Sequence, residues 1–320
     1  MAKKVGIITS GGDAPGMNAA VRAVTRYGIS LGYEMIGIKR GFKGLLDDDF
    51  QRLTLRSVSG IINTGGTMLH TGRCPETKTK TGLNRAVKTI NELNLSGLII
   101  IGGDGSLAAG NAFSQKGVKV VNIPASIDND IYGTDETIGY DTALNTAVEA
   151  IDKIRDTATS HDRIFVVEIM GREHGFLTLD VGLAAGCEYI VVPEIKPDMN
   201  KLAQELTKGK ERGKTSEIIA FAEGCGSSHD FAKQVEKLTG LEVRVSNLGY
   251  IQRGGRPTAR TRILASKFGY AAMNLFHKGQ YNSLVCLVNG QITSMPISQA
   301  IKRDKKFDEK TLKLLRSLSI

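Results

Sequence analysis

Short apolar runs alternate along the chain with segments whose apolar residues recur every three to four positions. In the first 124 residues the runs KVGIIT, YEMIGIK, LSGLIIIGG and VKVVNIP predict strands. Between them, MNAAVRAVTRYGISLG, TGLNRAVKTINELN and SLAAGNAFSQKG carry the helical period. In the second of these, Leu83, Ala86, Val87, Ile90 and Leu93 fall near one face, and Gly117 closes the third. A second set opens after residue 139. The long helix DTALNTAVEAIDKIRDTATS leads it. Strands RIFVVEIMG, EYIVVPE and SEIIAFAEG follow, interleaved with helices FLTLDVGLAAG, MNKLAQELTKGKERG and DFAKQVEKLTG. The tail IKRDKKFDEKTLKLLRSLSI predicts a short amphipathic helix. Strands that are apolar throughout and alternate with helices are buried on both faces, as in largely parallel sheets. The expected class is therefore α/β: two doubly wound three-layer (αβα) domains, each around a mostly parallel sheet. Internal similarity is weak beyond a repeated strand followed by GGD.

Length agrees with two domains, since 320 residues is about twice an ordinary one. Cys74, Cys187, Cys225 and Cys286 lie far apart without a CxxC pair, which argues against a zinc site or disulfide framework and for a reducing cytoplasm. The opening MAKKVGIITSGG has too short an apolar run for a signal peptide, and no stretch approaches the ~20 apolar residues of a membrane span. The five histidines show no metal spacing. A net charge of +9 admits an anionic partner: nucleic acid, phosphometabolite or acidic membrane. The arginines decide among these. They sit at strand ends instead of forming a stripe interleaved with aromatics, which make up only 6% of the chain, so nucleic acid is disfavoured.

Ligands of open α/β sheets bind at the carboxyl ends of strands. Three loops there are unusual. TSGGDAPGMNAAVR, residues 9–22, brings Gly11 and Gly12 to a helix N-terminus, a setting for an anion. It is neither a Walker loop nor a GxGxxG turn, and a tight turn capped by Asp13 is the alternative. IIIGGDGSLAAG, residues 99–110, offers bare glycines with Asp104, suited to a nucleotide phosphate and its Mg²⁺; a turn capped by Ser106 is the alternative. IPASIDNDIYGTD, residues 123–135, groups Asp128, Asn129 and Asp130 beside Ser126. An extended backbone would point Asp128 and Asp130 one way and Asn129 the other. One carboxylate could hold a metal while the other accepts a proton; an Asx-rich loop capping the next helix is the alternative. Counter-charges come from Arg73, Arg163, Arg172, Arg244, Arg253 and Arg256, whose planar forks suit phosphate. Arg260 and Arg262 read as surface residues.

Five of these segments together resemble the bacterial ATP-dependent 6-phosphofructokinase family: TSGGDAPGMNAA, GGDGS, IDNDIYGTDETIGYDTALNTAVEAIDKIRDTA, VVEIMGR and IQRGGRPTAR. The likeness runs in order over nearly the whole chain. It implies transfer of the γ-phosphoryl of ATP to the 1-hydroxyl of fructose 6-phosphate. It makes Asp128 the general base, with Arg172, Gly12 and Ser126 around the transferring group. Asp104 and Asp130 would bind Mg²⁺. Gly12, Arg73, Cys74, Gly103, Asp104, Gly105 and Ser106 would line the ATP. Ser126, Asp128, Asp130, Met170, Gly171, Arg172, Glu223, Tyr250 and Arg253 would meet the sugar phosphate, and Arg163 and Arg244 would reach it from a neighbouring subunit of a homotetramer. An ATP-binding domain of residues 1–139 and 252–302 and a sugar-phosphate domain of 140–251 and 303–320 are implied. So is an effector pocket for ADP or phosphoenolpyruvate at Arg22, Arg26, Arg155, Glu188, Arg212 and Lys214.

The family pattern is not complete. Ala125-Ser126 stands for a usual Gly-Thr, Tyr250 for a histidine, Lys78 for an arginine, Phe176 for an aspartate and Arg256 for a serine. Leu55 and Gly60 stand where an effector-binding arginine and aspartate are usual, so altered regulation is expected. Pyrophosphate-dependent relatives carry Asp and Lys where this chain has Gly105 and Ala125, which favours ATP as donor. Two rivals share part of the chemistry. NAD and diacylglycerol kinases use a GGDG turn but have no need of IDND and MGR, and a nucleotide sensor would bind without turnover.

Overall fold

The structure, a computed structural model, describes residues 2–318. The chain divides into two compact units, residues 1–142 with 253–305 and residues 143–252 with 306–320.

The first unit begins with β1 (Lys4–Ser10), α1 (Met17–Ser30), β2 (Glu34–Ile38), the single-turn α2 (Lys43–Leu46) and β3 (Phe50–Leu53). It continues with α3 (Lys80–Glu92), β4 (Leu95–Gly102), α4 (Asp104–Gln115), β5 (Val120–Ser126) and β6 (Ile138–Gly139). The second unit holds most of α5 (Tyr140–His161), then β7 (Ile164–Ile169), α6 (Phe176–Ala184), β8 (Tyr189–Val191), α7 (Met199–Glu211), β9 (Glu217–Ala222), α8 (Ser228–Thr239) and β10 (Val243–Asn247). The chain returns to the first unit with α9 (Ala259–His277), β11 (Ser283–Val288), β12 (Gln291–Pro296) and α10 (Ile297–Ala300), and ends with α11 (Glu309–Leu318) in the second.

The strand order in the first unit is β12-β11-β5-β4-β1-β2-β3, with β6 beside β5. Its interior pairs are parallel, and the edge strands β3 and β12 are antiparallel to their neighbours. The centre is dry because β4 buries six successive residues, Gly97–Gly102. Ile8, Ile38, Leu98, Ile100, Phe113 and Val120 share one core cluster on this sheet. The second unit has a parallel sheet of order β10-β7-β9-β8, packed through Val166, Leu202, Ile219, Phe221 and Val235. The α/β architecture expected from the pattern is the one observed.

Several elements lie outside those read from the pattern. β3 is half exposed, so its FQRL shows no apolar run. The 19-residue α9 buries Leu264, Phe268, Ala272 and Met273 at helical spacing, behind an arginine-rich start that masks the period. It packs along α1.

Register positions the chemistry of the first unit. Ser10 on β1 pairs with Gly102 on β4, and Gly102 pairs with Pro124 on β5. The two GGD turns and the IDND loop therefore leave three adjacent parallel strands at nearly the same height.

Candidate active site

In the first turn, Gly11 has φ 87° and Gly16, the residue before α1, has φ 99°. Glycine takes this left-handed backbone without a Cβ penalty. Asp13 does not cap α1: Gly16 is in the cap position and no side chain caps it. Gly12 serves close approach. A Cβ there would stand 2.5 Å from Nη1 of Arg253, whose guanidinium lies against this loop and reaches the Asp13 carbonyl at 3.4 Å. Asn18, in the first turn of α1, was not singled out by the sequence. It donates to Thr64 Oγ1 at 2.8 Å and to the Gly65 carbonyl at 3.1 Å, and accepts from Met68 N at 2.7 Å. Thr71 donates to the Gly11 carbonyl at 2.8 Å. These bonds tie the segment leading to Arg73 onto the first glycine turn. Arg73 itself is exposed. Cys74 is buried in the core cluster, where burial raises its thiol pKa, and its Sγ faces Glu76 Oε2 at 3.4 Å.

In the second turn, Gly103 precedes α4 and Asp104 opens it. Ser106 does not cap this helix. It sits within the first turn, 2% exposed, and its Oγ makes no hydrogen bond among the described residues. A buried hydroxyl without a partner is costly and calls for an acceptor. It lies beside the other glycine turn, since a Cβ on Gly11 would be 3.5 Å from it. A Cβ on Gly105 would meet nothing within 4 Å. An orphan hydroxyl, bare glycines and a helix N-terminus make a cradle that fits a polyphosphate.

The third loop corrects the sequence reading. The backbone does not stay extended past Ser126: it bends at Ile127 and Asp128, and Asn129 is left-handed at φ 53°. The alternation argument for Asp128 and Asp130 therefore does not apply. The loop is built inward instead. Ser126 Oγ accepts from Asp128 N at 3.1 Å and donates to Asp130 Oδ1 at 3.3 Å. Asn129 accepts from Thr137 N at 3.1 Å and donates to the Asp135 carbonyl at 3.1 Å, so it braces the loop and does not cap a helix. Asp135 accepts from Asn289 N at 2.7 Å and secures the loop to the β11–β12 turn. Asp128 is 2% exposed, and Asp130 is half-buried. Arg260 is more than a surface residue: its guanidinium grips buried Glu136 through bonds of 2.6 and 2.8 Å, which raises the Arg260 pKa.

Among the described residues no group of three or more His, Cys, Asp or Glu side chains could hold a metal ion. Mg²⁺ keeps water and phosphate oxygens and needs only one or two protein carboxylates. Asp104 and Asp130, on the loops after neighbouring strands, fit that requirement.

In the second unit, the turn after β7 carries Met170, Gly171 and Arg172, with Arg172 left-handed at φ 54°. Oε1 of Glu223 accepts from both Gly171 N, at 3.1 Å, and Arg172 N, at 2.5 Å. Arg163 and Arg244 share Glu242: Arg163 Nε is 3.2 Å from Oε2, and Arg244 pairs with Oε1. Arg163 precedes β7 while Met170 follows it. Seven extended residues separate them by about 20 Å. The structure therefore does not bring Arg163 to the Met170 turn of its own unit. Tyr250 is 83% exposed.

Of the effector positions, Arg22 and Arg26 lie on α1 of the first unit. In the second, Arg155 pairs with Glu188 at 3.0 Å and donates to the carbonyls of Ala185 and Gly186. Glu188, Arg212 and Lys214 line a cavity of about 570 Å³ that also borders Leu206, Glu217 and Leu315. Glu217 is 6% exposed, and burial pushes its carboxyl up to about 7 against the pull of Lys214, with Glu188 adding to the rise. A raised carboxyl favours the neutral form in the folded state. Its stability contribution is full below the ordinary carboxylate range and is lost as pH rises through about 7. We expect Glu217→Gln to be more stable than wild type at pH 8 by roughly 1–2 kcal/mol, the full shift being reduced by solvent in the cavity. Thermal melts of both proteins between pH 5 and pH 8 check this; parallel pH profiles would refute it.

Among the described residues, no helix is long and apolar enough to cross a membrane. A protein of Halalkalibacterium halodurans named ATP-dependent 6-phosphofructokinase is 47% identical over 318 residues, covering 99% of this chain and all of that one. A Bacillus subtilis protein of the same name is 46% identical with the same coverage. The solved phosphofructokinase of Pichia pastoris superposes with a TM-score of 0.90 at 33% identity; it matches all of this chain, which spans 37% of the length of the Pichia chain. Residues 4–276 match the sequence profile of the family described as Phosphofructokinase. With that profile across both units and full-length relatives near one-half identity, the chain belongs to the phosphofructokinase family.

Proposed function

We propose that this protein is a 6-phosphofructokinase that transfers the γ-phosphoryl group of MgATP to the 1-hydroxyl of D-fructose 6-phosphate, with fructose 1,6-bisphosphate and ADP as products. The observation that carries the reading is the three-strand register, which sets two glycine turns and a buried aspartate loop side by side. Phosphoryl transfer is catalysed mainly by positioning and charge neutralisation, and this arrangement supplies both.

Asp128 acts as general base and takes the proton of the sugar 1-hydroxyl. That oxygen forms its bond to the γ-phosphorus as the bond from phosphorus to the bridging oxygen of ADP breaks. Ser126, bonded to the Asp128 amide and the Asp130 carboxylate, fixes the two acids relative to each other. The amides of Gly12, Gly103 and Gly105, with Ser106 and Arg73, receive the ATP phosphates. Asp104 and Asp130 hold Mg²⁺, which when bound neutralises phosphate charge. Met170, Gly171, Arg172, Glu223, Tyr250 and Arg253 hold the sugar phosphate. Arg163 and Arg244 serve the sugar site of a neighbouring subunit in a homotetramer, an assignment supported by the distance of Arg163 from the Met170 turn and by the pairing of both arginines with Glu242. The enzyme works in the cytoplasm. ADP or phosphoenolpyruvate act as effectors with altered response, because exposed Leu55 replaces a cation and Gly60 an acid.

Steady-state product formation from fructose 6-phosphate, with ATP and pyrophosphate as alternative donors, tests the proposal. Turnover is expected with ATP. No turnover with ATP, or turnover with pyrophosphate alone, would overturn it.

A further inference from the structure

The turn that presents Arg172 is held by side chains. Gly171 N and Arg172 N both donate to Glu223 Oε1. The preceding amide, Met170 N, donates to Gln252 Oε1 at 3.0 Å. Three successive backbone N–H groups are thus accepted by two side chains far away in sequence, and the last belongs to a residue with left-handed φ. A non-glycine residue keeps such a conformation only where its surroundings enforce it.

Gln252 is an expensive residue for this place. It is fully buried, and its Nε2 makes no hydrogen bond among the described residues. A leucine or methionine would fill the space without stranding a polar group. Rotating the amide would set Nε2 against the Met170 N–H, donor against donor, so the acceptor must face the turn. Glutamate would also accept the bond, but it would bury a second carboxylate beside Glu223, and like charges repel. A neutral acceptor of this length is what the turn requires.

We propose that Gln252 is a positioning residue of the sugar-phosphate site: it completes, with Glu223, a clamp on residues 170–172 that presents Arg172 to the substrate. This rests on the function proposed above. The clamp predicts a selective lesion. Gln252→Leu should raise the KM for fructose 6-phosphate roughly three- to tenfold, the worth of one hydrogen bond, and leave the KM for ATP unchanged. Deuterium exchange at the amides of 170–172 should speed up by a similar factor in the same variant. If the leucine variant does not fold, Gln252→Asn withdraws the amide by one methylene and should show the same selectivity. Wild-type exchange and an unchanged sugar KM in a folded Leu or Asn variant would overturn the proposal, as would equal rises in both KM values. Should the wild-type protein be inert toward fructose 6-phosphate, the functional reading fails while exchange at 170–172 still decides the clamp.

Discussion

Asp128→Asn should lower kcat by roughly 10²–10⁴-fold, the usual loss when a general base is removed. The substitution exchanges one carboxylate oxygen for an amide of nearly the same size, at a site that is 2% exposed. The loop should survive it. Its shape comes from the Ser126 hydroxyl on the Asp128 amide, the Asn129 side chain on Thr137 and Asp135, and the Asp135 carboxylate on Asn289. None of those bonds uses the Asp128 side chain. The KM for ATP should change less than about threefold, because the glycine turns and Asp104 are untouched. Measuring kcat at saturating substrates with a melt on the same sample separates lost chemistry from lost fold. A kcat within threefold of wild type would remove Asp128 from the role of base.

What the sequence reveals and what it hides follow from the range of the interactions involved. Strands buried on both faces announce themselves as unbroken apolar runs, and β4 is the clearest case. β3 does not, because an edge strand with solvent on one side needs no such run. The GGD turns were legible as glycine-rich strand ends. Their alignment was not: it depends on Ser10 pairing with Gly102, a register set by packing across 92 residues of chain. The IDND loop shows the limit most plainly. Alternation along an extended strand is a local rule, and it fails once Asn129 turns left-handed to reach Thr137 and Asp135. Gln252, Asn18 and the Glu136–Arg260 pair act on partners tens to more than a hundred residues away. Nothing in their immediate neighbourhood marks them.

Gly105→Asp should abolish most use of ATP while leaving the fold intact. A Cβ at 105 meets no atom within 4 Å, so the new side chain has room. It lies in the first turn of α4, where an acidic residue favours the helix dipole. Stability should therefore be unchanged or slightly higher. The same open space is where the proposed nucleotide phosphates run, beside the orphan Ser106 hydroxyl. A carboxylate about 4 Å from a phosphate repels it by about 4 kcal/mol at an effective dielectric of 20. Counter-ions lessen this, so a rise of roughly 10²-fold in the KM for ATP is expected. Pyrophosphate lacks the adenosine and the phosphate next to it, so it should suffer less. The ratio of kcat/KM for ATP to that for pyrophosphate, compared between variant and wild type, reads the effect without reference to total activity. A variant that binds ATP as well as wild type would place the nucleotide elsewhere and undo the assignment of the second glycine turn.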